Sequence, residues 1–370
     1  MNRRSFVVWG VAATFLLLCA GAAVAQQKGP YDTSGQDGGL WLIEGASTYT
    51  KDVDILYKVI FWVIIVMFVL TEGLLIYFCI VYRRRPGHRP IYTHGNRKAE
   101  LTWTIVPACM LLALAIVQIK TWNEIKLPDL FPKPGPGVTT VDVFAEQFAW
   151  NYRYPQALHA YKAPSDLTTG QLLVPFGDKV VCRLRSRDVI HSLFIPHMRT
   201  KQDTVPGLRQ GLWFEPARIW LADLKSNPQK RVWVNNPQAF DQAGEYFDKR
   251  VVVNTYVEDE LGFSPAYDEE DGVFKPIRKG AKGQEVEMKV NVLHRGQIYK
   301  KQDWASCDYA VGIFEVACAE LCGLGHYKMK SRLNVLPRAA YDQWVKEEEK
   351  DIKDFSDVRK PPPVWNLWRE

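Results

Sequence analysis

Cys318-Ala319-Glu320-Leu321-Cys322-Gly323-Leu324-Gly325-His326-Tyr327-Lys328-Met329 places two thiols, an imidazole and a thioether within twelve positions. Thiolates and thioethers are soft ligands that favour copper, while imidazole suits several metals. Two Cys with three residues between them on a loop can turn both sulfurs towards one point. Gly323 and Gly325 let the backbone curl, so that His326 and Met329 reach the same place. Two metal ions need one further imidazole, and His191, at the end of a predicted strand in Asp188-Val189-Ile190-His191-Ser192, is the candidate. A Cys318–Cys322 disulfide in an oxidising compartment is the bland alternative. Zinc has no need of the thioether, and a single-copper blue site uses one Cys rather than two.

These residues stand in the last part of a 370-residue chain, long enough for two to three domains. Three apolar stretches crowd its N-terminal third, which excludes a purely soluble cytoplasmic protein. The first reads as a secretory signal over 1–25, with Arg3 and Arg4, an apolar run from Phe6 to Ala20, and small residues at Ala23-Val24-Ala25. An uncleaved anchor is the alternative. The second (55–82) and third (101–120) are each long enough to span a bilayer as a helix. Pro107 in the third is tolerable where neighbours satisfy the freed backbone group. The basic loop 83–100 places the turn of this hairpin in the cytoplasm, leaving an N-terminal segment (26–54) and everything after the third stretch outside.

The net charge of +6 is then topogenic. Arg3 and Arg4 carry +2 and the loop +5, so the rest of the chain holds −1 and no nucleic-acid partner is expected. Beyond a Pro/Gly-rich connector, the β-branched runs Val138–Ala145, Gln171–Val174, Lys179–Leu184 and Val189–Ile195 predict a compact antiparallel sandwich or barrel. Residues 217–304 break this pattern with polar sequence and an acidic cluster, Asp268-Glu269-Glu270-Asp271, though strand-like islands occur at Arg250–Val257 and Glu285–Leu293. Residues 338–370 read as an amphipathic helix and a Pro-rich tail.

The copper-type run, Asp188-Val-x-His191-Ser192 with Pro196 and Lys201-x-Asp203-x-x-Pro206-Gly207 behind it, the aromatic Gln147-Phe148-Ala149-Trp150-Asn151-Tyr152 and the helix start Glu100-Leu101-Thr102-Trp103-Thr104-Ile105-Val106-Pro107 together resemble subunit II of haem–copper cytochrome c oxidase. The resemblance covers about residues 50–215 and 305–345. It implies a two-helix transmembrane hairpin with an all-β, cupredoxin-like Greek-key external domain over 138–216 and 305–337, interrupted by an insertion at 217–304. It implies a dinuclear CuA centre in which Cys318 and Cys322 bridge both coppers. His191 and Met329 complete one copper, and His326 and the Glu320 carbonyl the other. The Glu320 side chain would reach a magnesium ion at a subunit boundary, or else simply face solvent.

The same resemblance implies a two-pass protein of the bacterial inner membrane, with its copper domain on the periplasmic face. It would take electrons from a c-type cytochrome and pass them to a haem-containing subunit I that reduces O2 to water with proton translocation. Other oxidase subunits and a copper-loading chaperone would be further partners. Glu100 resembles the carboxylate at the mouth of a proton channel; an ordinary helix N-terminal acid explains it equally. Glu72, within the first membrane helix, has no recognised counterpart.

Several features depart from the family. Where it places a Trp at the point where electrons enter, this chain has Phe148, so the route would shift to Trp150 or Tyr152, unless these aromatics are core packing. The acids that dock a basic cytochrome are sparse, with Asp188 remaining. No Cys-x-x-Cys-His run occurs, so no haem c is expected in this chain. Cys182 and Cys307 are candidates for a disulfide across the insertion, which itself docks a partner or is a tolerated surface addition. The rival functions are a CuA subunit of a nitric oxide reductase and a non-redox copper carrier.

Overall fold

The computed structural model describes residues 42–355 except 88, 90, 91, 93, 156–166, 224, 226, 235–248, 260–261, 265–287, 296, 304–306 and 312. The signal-like stretch 1–25, the acidic cluster 268–271 and the tail after 355 lie outside the described residues.

Two helices, α1 (Thr50–Val81) and α2 (Arg97–Lys126), form the hairpin. At 1.5 Å per residue they run roughly 48 and 45 Å, more than the ~30 Å hydrocarbon layer requires. α1 buries no side chain and α2 only Ile125, so apolar groups face outward on all sides. Such helices need lipid or an apolar partner around them. Both extend past the expected apolar spans because polar turns, 50–54 and 121–126, continue the helix. Asn96 caps α2, its side chain accepting the Ala99 N–H at 3.2 Å.

The external domain is a sandwich of two five-stranded sheets. One contains β1 (Val138–Glu146), β2 (Ala149–Tyr154), β3 (Leu167–Thr169), β5 (Lys179–Ser186) and β8 (Gln210–Phe214), in the order β3-β2-β1-β5-β8. The other contains β4 (Leu172–Pro175), β6 (His191–Ile195), β7 (Thr200–Thr204), β16 (Ile313–Cys318) and β17 (Lys330–Leu336), in the order β4-β17-β16-β6-β7. Alternation along β5 shows why they face each other. Val180, Cys182 and Leu184 are buried, while Lys179 and Arg183 point out. Val143, Tyr152, Leu193, Phe314 and Leu333 meet these residues in one core.

The sandwich is not wholly antiparallel, as the β-branched runs predicted. β1 pairs with β5 in parallel, and so does β17 with β4. Parallel neighbours require crossover connections rather than hairpins, and the chain makes them by passing between the two sheets. The same crossing brings β6, which starts at His191, next to the end of β16 at Cys318, in the register Cys318 to Leu193.

The inserted segment forms a sheet of its own, which also takes in Tyr309–Val311 from the stretch 305–337 expected to belong to the sandwich, because that strand pairs with Ile219–Asp223. Its strands are β9 (Ile219–Asp223), β10 (Asn227–Val234), β11 (Val251–Asp259), β12 (Gly262–Ser264), β13 (Met288–His294), β14 (Gln297–Asp303) and β15 (Tyr309–Val311). β9 pairs with β15, so the chain returns to where it left the sandwich just before β16. Asp308 fastens this junction, accepting the Arg250 N–H at 3.0 Å and Lys225 Nζ at 2.5 Å. Burial would raise its carboxyl, but these partners outweigh burial and hold it below the usual range. Cys182 and Cys307 are both buried and neither is joined in a disulfide, so the bridge considered across the insertion is not formed.

Hairpin and sandwich are tied together. The Arg199 guanidinium, 6% exposed, meets Asp54 of α1 at 2.6 and 3.1 Å. Trp213 of β8 donates its indole N–H to the Glu124 carbonyl of α2 at 2.8 Å. At the far end, α3 (Arg338–Phe355) buries Tyr341 and Trp344, the latter edge-on to Tyr154.

Candidate metal centre

β16 ends at Cys318, and β17 resumes at Lys330. The intervening loop doubles back through a short 3-10 turn, His326–Lys328, with the Cys318 N–H bonded to the Met329 carbonyl at 3.1 Å. This closure puts both ends of the loop beside the start of β6. Cys318 Sγ and Cys322 Sγ stand 4.0 Å apart, which is no disulfide distance. His191 Nδ1 lies 4.0 Å from Cys318 Sγ, His326 Nδ1 3.6 Å from Cys322 Sγ, and Met329 Sδ 3.7 Å from Cys322 Sγ. The Glu320 carbonyl is 3.2 Å from Cys318 Sγ, and its side chain is exposed. The donor atoms of His191, Cys318 and Cys322 all fall within 4.8 Å of one another. Ligands about 2.0–2.3 Å from a shared tetrahedral ion sit roughly 3.3–3.8 Å apart, so the spacings suit a metal cradle.

Electrostatics point the same way. Burial pushes the Cys322 thiol up to about 11, and the neighbouring Cys318 adds to the rise. Two adjacent thiolates are costly until a cation lies between them. His191 and Met329 are fully buried and Cys322 is 4% exposed.

Asp188, the acid the sequence left as the docking candidate, is exposed and also engaged by three donors. Its Oδ1 accepts from His191 Nε2 at 2.8 Å and from the Val189 N–H at 2.7 Å, and its Oδ2 accepts the Gln147 N–H at 2.7 Å. Burial opposes ionisation, yet these donors together keep the carboxyl below its usual range. Held from behind in this way, the His191 ring turns Nδ1 towards the sulfurs. A carboxylate behind a ligating imidazole fixes its tautomer and orientation. The Asp-x-x-His spacing carried that signal. Gln147, not singled out beforehand, donates its side-chain amide to the Cys322 carbonyl at 2.5 Å.

The aromatics divide by depth. Phe148 is 37% exposed and lies flat on the ligand loop; a Cβ at Gly325 would come within 2.4 Å of its ring. Gly323, at φ +134°, needs glycine for its backbone as well. Trp150 is 2% exposed, with its ring centroid 6.2 Å from that of His191, and Tyr152 is fully buried. On the same loop Leu321, Leu324 and Tyr327 are 79%, 99% and 68% exposed, interleaved with the exposed Glu320 and Lys328. Glu100 stands apart from this site, exposed in the first turn of α2.

A membrane hairpin carrying a β-sandwich with a Cys/His/Met cluster defines the class. Within it, the chain is similar to subunit II of cytochrome c oxidase. Residues 35–121 match the family model "Cytochrome C oxidase subunit II, transmembrane domain". Cytochrome c oxidase subunit 2 of Alkalihalophilus pseudofirmus is 34% identical over 145 residues, 38% of this chain and 40% of the relative. That of Thermostichus vulcanus is 28% identical over 216 residues, 45% of this chain and 64% of the relative. The chain thus spans less than two thirds of the length of these curated relatives. Among solved structures, the periplasmic domain of subunit II of cytochrome oxidase from Bradyrhizobium japonicum aligns with a TM-score of 0.29 at 15% identity, covering 60% of this chain and 97% of that one.

Proposed function

We propose that this chain is the electron-accepting subunit of a respiratory terminal oxidase, with a dinuclear CuA centre held by Cys318, Cys322, His191, His326, Met329 and the Glu320 carbonyl. The observation that carries the reading is the convergence of two thiols, two imidazoles and a thioether at donor spacings of 3.6–4.0 Å. When bound, a thiolate-bridged copper pair supplies one-electron transfer with little rearrangement. The chain's own residues supply the rest. Asp188 orients His191, Gln147 holds the loop at Cys322, and the sandwich keeps water from the buried ligands.

Phe148 and the exposed Leu321, Leu324 and Tyr327 form the face that would meet a c-type cytochrome. Trp150, beneath that face, lies against His191. The electrons leave for a haem-containing partner subunit that reduces O2 to water. The exposed Glu320 carboxylate is available to a magnesium ion shared with that partner, and Glu100, exposed in the first turn of α2, would serve the cytoplasmic mouth of a proton path. Two of the four donor side chains other than Cys318 are fully buried, which disfavours a carrier that must exchange its metal.

The test is copper loading of the full-length protein in detergent. The expected product holds two coppers per chain and shows the purple absorption and mixed-valence electron spin resonance of a delocalised pair. A single-copper spectrum, or zinc in a folded preparation, defeats the proposal. Met329→Leu should retain copper but with a shifted potential and slower electron transfer.

A further inference from the structure

The turn between β1 and β2 reaches both halves of the donor set. Glu146 pairs with Ala149, so Gln147 and Phe148 make the connection by themselves. The base of this turn is held firmly. The Arg187 N–H donates to the Ala145 carbonyl at 3.0 Å, and the Arg187 guanidinium meets the Glu146 carboxylate at 2.8 Å. Asn151 donates its side-chain amide to the other oxygen of Glu146 at 3.0 Å.

From that base Gln147 makes contacts in two directions. Its backbone N–H donates to Asp188 Oδ2 at 2.7 Å, and Asp188 Oδ1 accepts from His191 Nε2 at 2.8 Å. Its side chain donates to the Cys322 carbonyl at 2.5 Å. A carbonyl can only accept, so the amide turns its NH2 this way. Gly323 permits the approach, since a Cβ there would lie 2.9 Å from the Gln147 amide nitrogen. Strand pairing sets Cys318 against Leu193 of β6, but Cys322 lies four residues beyond that last paired position. The ladder therefore leaves the distance between Cys322 and His191 unset, and Gln147 spans it.

We propose that Gln147 is a positioning residue that couples the two halves of the donor set, fixing the Cys322 sulfur relative to His191 before any metal arrives. This deepens the metal-centre reading and rests on it. Ligands held at their final spacing by a supporting shell bind metal without first having to be ordered. They also need not move when the centre changes charge. Gln147 is itself exposed, so replacing it leaves the buried core of the sandwich intact. Without its amide, water takes over the Cys322 carbonyl, and the loop is free to shift against His191.

The test compares the full chain in detergent with Gln147→Met, which keeps the length of the side chain and removes its donor, and with Gln147→Ala. In the metal-free protein Cys322 is 4% exposed, and its rate of alkylation by iodoacetamide, located by mass spectrometry, reports how firmly the loop is held. That rate should rise about threefold to tenfold in both variants, the range one hydrogen bond of this kind represents, with an unchanged melting temperature. After copper loading, affinity measured against a chelator should fall by a similar factor. The mixed-valence spin resonance should change shape as the two coppers become unequal. A wild type that holds no copper pair defeats the metal-centre reading, and the alkylation rates then still decide whether Gln147 sets the loop. The positioning role is overturned if alkylation and copper affinity match wild type in both variants, as they would for a residue that only touches an electron donor. It is overturned equally if both change only together with a lowered melting temperature.

Discussion

Gly325→Ala isolates the coupling between Phe148 and the ligand loop. Gly325 has φ −94°, a conformation alanine adopts freely, so the backbone does not object. The obstacle is steric: a Cβ would lie 2.4, 2.6 and 2.7 Å from three atoms of the Phe148 ring. Either the ring or the loop between Cys322 and His326 must give way. Overpacking of this kind costs about 1–3 kcal/mol. Because both Cys322 and His326 flank the glycine, displacement of the loop also weakens copper binding. Phe148→Ala alone should cost less, since that ring is 37% exposed. The double variant Phe148→Ala/Gly325→Ala should recover most of what Gly325→Ala loses, a coupling of at least about 1 kcal/mol. Thermal melts and copper competition titrations on the four proteins measure this cycle. Strict additivity, or a harmless Gly325→Ala, would refute the packing argument.

Other perturbations test separate parts of the structure. Asp188→Asn weakens the bond to His191 and should lower copper affinity about 10- to 100-fold without unfolding the sandwich; unchanged affinity in a chelator titration would remove its positioning role. Copper binding must displace thiol protons, and Cys322 sits at about 11 in the metal-free protein. Apparent affinity should therefore rise with pH throughout the range 6 to 9 and weaken on acidification, and a flat profile would contradict thiolate ligation. Arg199→Met leaves Asp54 without its buried partner and should destabilise the hairpin–sandwich junction by about 2–4 kcal/mol, seen as a lower melting temperature. A melt matching wild type would show that the pair ties nothing together.

Much was legible in the linear order because the relevant forces are local. Uninterrupted apolar runs can only be satisfied by lipid or a buried interface, so α1 and α2 were visible in the sequence. Soft ligands a few residues apart point to a metal, with a disulfide as the alternative, and the loop geometry brings Cys318, Cys322, His326 and Met329 together with the two sulfurs of the cysteines 4.0 Å apart. Strand existence along 138–195 followed from β-branched runs, whereas their parallel pairing did not.

What only the tertiary structure decided depends on residues far apart in the chain. Asp188 is a surface acid, and only the packing of the Gln147 segment and His191 against it shows what its carboxylate holds. Trp150 and Tyr152 could not be ranked by depth until β2 was packed into the core, leaving Phe148 at the surface. Within residues 217–304 the strand-like islands Arg250–Val257 and Glu285–Leu293 were legible as β11 and β13, but their assembly with β9 and β15 into one sheet was not, since backbone pairing across such distances leaves no local pattern. Side-chain type is written residue by residue, but burial and pairing are properties of the folded whole.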